Sequence, residues 1–99
     1  KSIVPDYDQM TIEHIFPQSK MTEEIDDTIV GQIGNLILIP QELNSKLDNK
    51  NFNQKKKILI EEGVNLPESI ANKKIWDKKA IQDRTNLMAK IAYEDIWKN

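Results

Sequence analysis

Residues 31–40 read GQIGNLILIP. Gly31 and Gly34 break the chain. Asn35 to Pro40 then runs Asn-Leu-Ile-Leu-Ile-Pro, an apolar stretch bounded by turn residues, which reads as a strand. A second strand candidate lies upstream at Met10 to Ile15, rich in β-branched and apolar residues. Pro17 ends it, because proline offers no N–H for pairing and pushes Phe16 toward extended geometry. Two short strands with a long loop between them predict an antiparallel hairpin.

Downstream of Pro40 the apolar spacing becomes helical. Leu43 and Leu47 stand four apart within Gln41 to Asp48. Phe52, Leu59 and Ile60 mark one side of a helix over Phe52 to Glu62, and Gly63 is its stop. Asn65-Leu66-Pro67 is a loop, and Pro67 to Ala71 forms one more turn. Asp77 caps a long final helix whose buried stripe is Ile81, Leu87, Met88, Ile91, Ala92 and Ile96. Upstream, Lys1 to Gln9 is an irregular lead-in, and Thr22 to Ile29 opens with a capping residue and acids, as a short helix or turn does. A two-stranded hairpin is not stable alone, so helices must cover it. The expected fold is α+β, with a ββα core over residues 10–50 and a helical wrap over 51–99.

A chain of 99 residues holds one domain. Its start at Lys1 predicts a fragment of a longer protein. There is no cysteine, which excludes disulfides and thiolate zinc sites and fits a reducing, cytoplasmic setting. No apolar run reaches membrane-spanning length and no signal-peptide pattern opens the chain, so no membrane partner is expected. The net charge of −2 is unevenly spread: Asp6 to Asp27 carries seven acids against one base, and Gln41 to Ile60 five bases against two acids. Two solvated faces are the plain reading of that pattern. A cation-binding front beside a phosphate-binding flank is the functional one.

The residues able to do chemistry are Glu13, His14, Asn35 and Asn44. His14 is the only histidine. On a β-β-α layout the end of the first strand, the start of the second and the first helical turns converge. That brings an imidazole, a carboxylate and two amides toward one cleft. Such a cleft suits phosphodiester hydrolysis: imidazole titrates near neutral pH and takes a proton from water. Mg²⁺ needs few oxygen ligands from protein because it keeps several waters, and Glu13 with Asn44 would suffice. One histidine and no cysteine make zinc a poor fit.

The stretches IEHIFPQS, IGNLILI and LNSKLDNKNFNQKK resemble the HNH (His-Me finger, ββα-metal) endonucleases. The nearest resemblance is to the nuclease domain at the C-terminal end of GmrSD-type, modification-dependent restriction enzymes, and it extends from Thr11 to Trp97. Phe52 and Lys55 match a phenylalanine and a lysine of that family, and the run from Trp76 to Arg84 is similar as well. The resemblance implies His14 as the general base and Glu13 and Asn44 as ligands of Mg²⁺ or Mn²⁺. It implies Asn35 as the residue bracing the loop between strands and holding the histidine. Lys46, Lys50 and Lys55 are expected to contact DNA phosphates, by position and charge. Glu13 stands where HNH proteins often carry aspartate. Strand alternation sets it on the face opposite His14, unless the strand ends or twists there. The implied partners are DNA and an upstream nucleotide-hydrolysing or specificity domain in the same polypeptide of a bacterial defence system.

Bland readings stand beside these. Asn44 also suits a helix start, Asn35 a turn, and Glu13 a surface ion pair. Trp76 and Trp97 read as packing residues, Arg84 as half of a structural ion pair. Only part of Lys55-Lys56-Lys57 can face one way on a helix. Two rival functions remain: a degenerate nuclease fold that binds nucleic acid or protein without catalysis, and a helical interaction domain with residues 1–49 as scaffold. RNA is an alternative substrate.

Overall fold

A computed structural model describes residues 7–97. Most of the lead-in, residues 1–6, lies outside the described residues. The two expected strands are present: β1, Met10–His14, and β2, Leu36–Pro40, pair antiparallel with Met10 opposite Pro40 and His14 opposite Leu36. Period-two alternation sorts their side chains. Glu13 and Ile39 are buried on one face, while Ile12 and Leu38 stand exposed on the other. The α+β class is as expected.

Five α-helices follow among the described residues: α1, Asp27–Val30; α2, Asn44–Leu47; α3, Phe52–Glu61; α4, Glu68–Ala71; and α5, Lys78–Trp97. The helix sought over Thr22 to Ile29 is shorter and later than expected. Asp26 is its cap, accepting hydrogen bonds from the N–H groups of Thr28 (3.1 Å) and Ile29 (3.2 Å). The acidic run before it is taken up by a turn in which Thr22 Oγ1 accepts from Ile25 N. α3 begins with a reciprocal capping box between Asn51 and Gln54 and stops at Gly63, whose φ of +82° glycine adopts without steric cost.

The hairpin's inner face is covered in two places. Ile39 packs with Leu43, Leu47 and Leu59, so α2 and α3 close one end. Ile15 packs with Ile29, Ile70, Trp76, Ala80 and Ile81 at the other. Ile37 and Leu66 touch both clusters. Phe52 stacks on Trp76 with ring centroids 5.2 Å apart.

Two expectations about helix faces are corrected. Ile60 is exposed, and Lys55 fills the inward position instead: residues 52, 55 and 59 follow the helical period. The stripe foreseen for α5 is buried only at its start. Ile81 is enclosed, but Leu87, Ile91 and Ile96 are exposed, as is Ala92. The first turns of α5 lie against the 3-10 turn Ile33–Asn35, with Gly34 N donating to Thr85 Oγ1 at 2.9 Å. A Cβ on Gly34 would collide with Ile81 O and the Thr85 backbone, so glycine sets this close approach. Beyond Thr85 that turn has ended, and the apolar period continues without the same support.

Candidate active site

His14 is the last residue of β1 and is partly exposed. Among the described residues no hydrogen bond engages its imidazole. The chain on either side of it is tightly held. Ile15 N donates to Asn35 O at 2.8 Å, one step beyond the regular ladder. The Asn35 side chain then extends the pairing: Oδ1 accepts from Phe16 N at 2.8 Å and Nδ2 donates to Phe16 O at 3.0 Å. Nδ2 also donates to Val30 O (2.9 Å), and Oδ1 accepts from Trp76 Nε1 (2.9 Å). Asn35 is 0% exposed, and these four bonds satisfy every hydrogen-bonding valence an amide of this geometry offers its neighbours. Asn35 thus ties β1, α1 and Trp76 together directly after His14, which is bracing geometry. The indole bond from Trp76 was not foreseen from sequence, which read that residue as packing alone.

Glu13 faces the opposite way from His14, as alternation requires. Its Oε2 lies 2.7 Å from Lys55 Nζ, and the residues are 8% and 3% exposed. That contact is ionic rather than a well-aligned hydrogen bond. Lys55 Nζ also donates to His14 O at 2.9 Å. A surface phosphate contact by Lys55 is therefore not what the structure shows: the ammonium is spent on an internal carboxylate and a strand-end carbonyl. The signal for this was the α3 period, which puts position 55 on the same face as Phe52 and Leu59.

No group of three or more acidic, histidine or cysteine side chains able to hold a metal occurs among the described residues. The void lined by Glu13 and Lys55 is about 10 Å³. That is near the lower limit for one water, and Mg²⁺ keeps several. Glu13 as arranged does not fit the metal-ligand role, since Lys55 already supplies the positive charge.

Asn44 opens α2 and is exposed. Ser19 Oγ donates to Asn49 Oδ1 at 2.8 Å, joining the loop after His14 to the segment following α2. Lys46 pairs with Glu62 at 2.9 Å on the surface, while Lys50 and Lys57 are exposed. Lys56 caps carbonyls of Ala71 and Lys73. Arg84 is buried and has no carboxylate partner among the described residues. Its Nη1 donates to Gly34 O and Leu36 O, each at 3.0 Å, and Nε donates to Ser69 Oγ. Burial lowers its pKa. The expected ion pair is replaced by a guanidinium fork that secures the turn before β2.

Residues 1–91 match the model of one family, GmrSD restriction endonucleases, C-terminal domain. The chain belongs to that family. No curated protein and no solved structure matches it. In this GmrSD C-terminal domain no described helix is long and apolar enough to cross a membrane.

Proposed function

We propose that this GmrSD C-terminal domain is an HNH-type endonuclease that hydrolyses DNA phosphodiester bonds, with His14 as general base. The observation that carries the reading is the contrast at the end of β1: a histidine with an uncommitted imidazole, set in a backbone committed on both sides. The imidazole takes a proton from water as the water oxygen attacks phosphorus, the bond to one ester oxygen breaks, and that oxygen leaves as a hydroxyl after taking a proton from solvent. Asn35 keeps the following chain in place during this step. Lys46 and Lys50 are the lysines suited to phosphate, through long-range attraction more than through any fixed contact. Mg²⁺ or Mn²⁺ is the expected cofactor of such chemistry. The amide of Asn44, uncommitted among the described residues, is an oxygen donor that would hold the ion, which would stabilise charge developing on the phosphate.

A second reading, a module that binds nucleic acid without cutting, is favoured by the engagement of Glu13 with Lys55. Plasmid cleavage with Mg²⁺ or Mn²⁺ separates the two. The nuclease reading expects nicking or linearisation that EDTA stops and that His14→Ala abolishes. Cleavage equal in parent and variant, or binding without cleavage by the protein in its full-length form, would favour the second reading. An upstream nucleotide-hydrolysing or specificity domain is the expected source of target choice.

A further inference from the structure

We infer that Lys55, charge-balanced by Glu13, is a positioning residue for His14. This rests on the reading of His14 as the general base. The peptide group between His14 and Ile15 is gripped at both ends: its N–H donates to Asn35 O at 2.8 Å, and its carbonyl accepts from Lys55 Nζ at 2.9 Å. That grip sets ψ of His14, and with it the direction in which the last side chain of β1 leaves the strand. The acceptor is a neutral carbonyl and the donor a full charge, so the bond is stronger than a neutral one.

The charge has a cost, because an ammonium taken out of water is unfavourable without a partner. Glu13, one residue before His14 and on the inner face, supplies that partner at 2.7 Å. Buried ion pairs seldom add stability over apolar residues of similar volume. This one lies at a void bordered by Ile15, Ile37, Leu59 and Leu66, where apolar side chains would serve packing equally well. Its distinctive effect is on the backbone of His14. The adjacent acid and histidine of the sequence thus have divided roles: Glu13 acts inward through Lys55, and His14 acts outward on substrate.

The test compares the parent 99-residue chain with Lys55→Met, Glu13→Gln and the double variant Glu13→Met/Lys55→Met. The double variant keeps volume and removes both charges, so it is expected to melt close to the parent. Its kcat on a DNA duplex is expected to fall about 10- to 100-fold with KM within about twofold, as for a displaced catalytic group. A lysine analogue provides rescue. The chain has no cysteine, so Lys55→Cys can be alkylated selectively by 2-bromoethylamine while unfolded, the thiolate displacing bromide, and then refolded. Recovery of kcat by the aminoethylated protein supports the inference.

Parental kcat in a double variant of parental melting temperature would overturn it. So would loss of Mn²⁺ binding, read by calorimetry, in Glu13→Gln alone, because Glu13 would then serve a metal. If the 99-residue parent does not cut, the kcat comparison moves to the same variants in the full-length protein, whose failure to cut overturns the nuclease reading, and NMR decides the contact in either case. The single histidine gives one imidazole Hε1 signal, expected sharp in the parent and shifted or broadened in the double variant. An unchanged signal would refute the hold of Lys55 on His14.

Discussion

Replacing Asn35 by alanine deletes four hydrogen bonds at one buried point. Phe16 N and O, Val30 O and Trp76 Nε1 all lose their partner. A typical intramolecular hydrogen bond contributes about 1 kcal/mol net, and a buried group left unpaired costs about 1 to 3 kcal/mol. Phe16 is only part-buried, so water reaches its backbone and softens two of the four losses. The total comes to about 4 kcal/mol. A domain of this size is stable by about 5 to 15 kcal/mol, so Asn35→Ala removes a large share and lowers Tm by roughly 15 to 30 °C.

Asn35→Asp sharpens the test, since it keeps the shape. One carboxylate oxygen still accepts from Phe16 N and Trp76 Nε1. The other replaces a donor and faces two carbonyl oxygens. The introduced carboxyl is therefore expected to resist ionisation, its folded pKa raised above the usual 3.9 or so. A raised carboxyl pKa favours the folded state at low pH, and that advantage is lost as pH rises through the unfolded value. The Asp variant should thus lie closer to the parent near pH 3 than near pH 7, after correction for the parent's own acid sensitivity. Urea unfolding followed by far-ultraviolet circular dichroism measures both. A cost below about 1 kcal/mol for Asn35→Ala would refute the reasoning, because the network would then not be holding the loop.

Gly34→Ala forces a methyl group into the backbone of α5. It should destabilise by about 3 kcal/mol, near the upper end for overpacking, with thermal melting as the check. Asp48 holds φ of +38° and ψ of −127°, a region suited to glycine. Asp48→Gly is expected to raise stability by about 1 kcal/mol in urea unfolding, and a loss would show that this backbone is unstrained. The carboxyl of Asp26 is held below its usual pKa of 3.8, first by the Thr28 hydroxyl and then by the Ile29 N–H. A depressed pKa favours the folded state above the unfolded value, so the penalty of Asp26→Ala should shrink as pH falls through this range; a penalty that grew on acidification would contradict the cap.

The hairpin was legible because its signals are local. Glycine, proline and a short apolar run act within a few residues, and the observed strands differ from the expected Met10–Ile15 and Asn35–Pro40 by one residue each. Leu43 and Leu47 read correctly for the same reason. The errors share another cause. Helical period identifies a face but not what lies opposite it. So the expected α5 stripe runs past Thr85, and Lys55 is expected at DNA phosphate by position and charge although its spacing points inward.

The sequence by itself determined the α+β class, the hairpin and its turn chemistry, the family resemblance, and His14 as the singular candidate base. These depend on residue type and near-neighbour spacing. Only the tertiary structure decided how the neighbours of His14 are used. Asn35 meets Phe16, Val30 and Trp76, and Glu13 meets Lys55, across separations of 5 to 42 residues in the chain. Which buried charge finds which partner depends on the packing of α3 against the inner face of the hairpin, where desolvation makes an unpaired carboxylate too costly to leave alone.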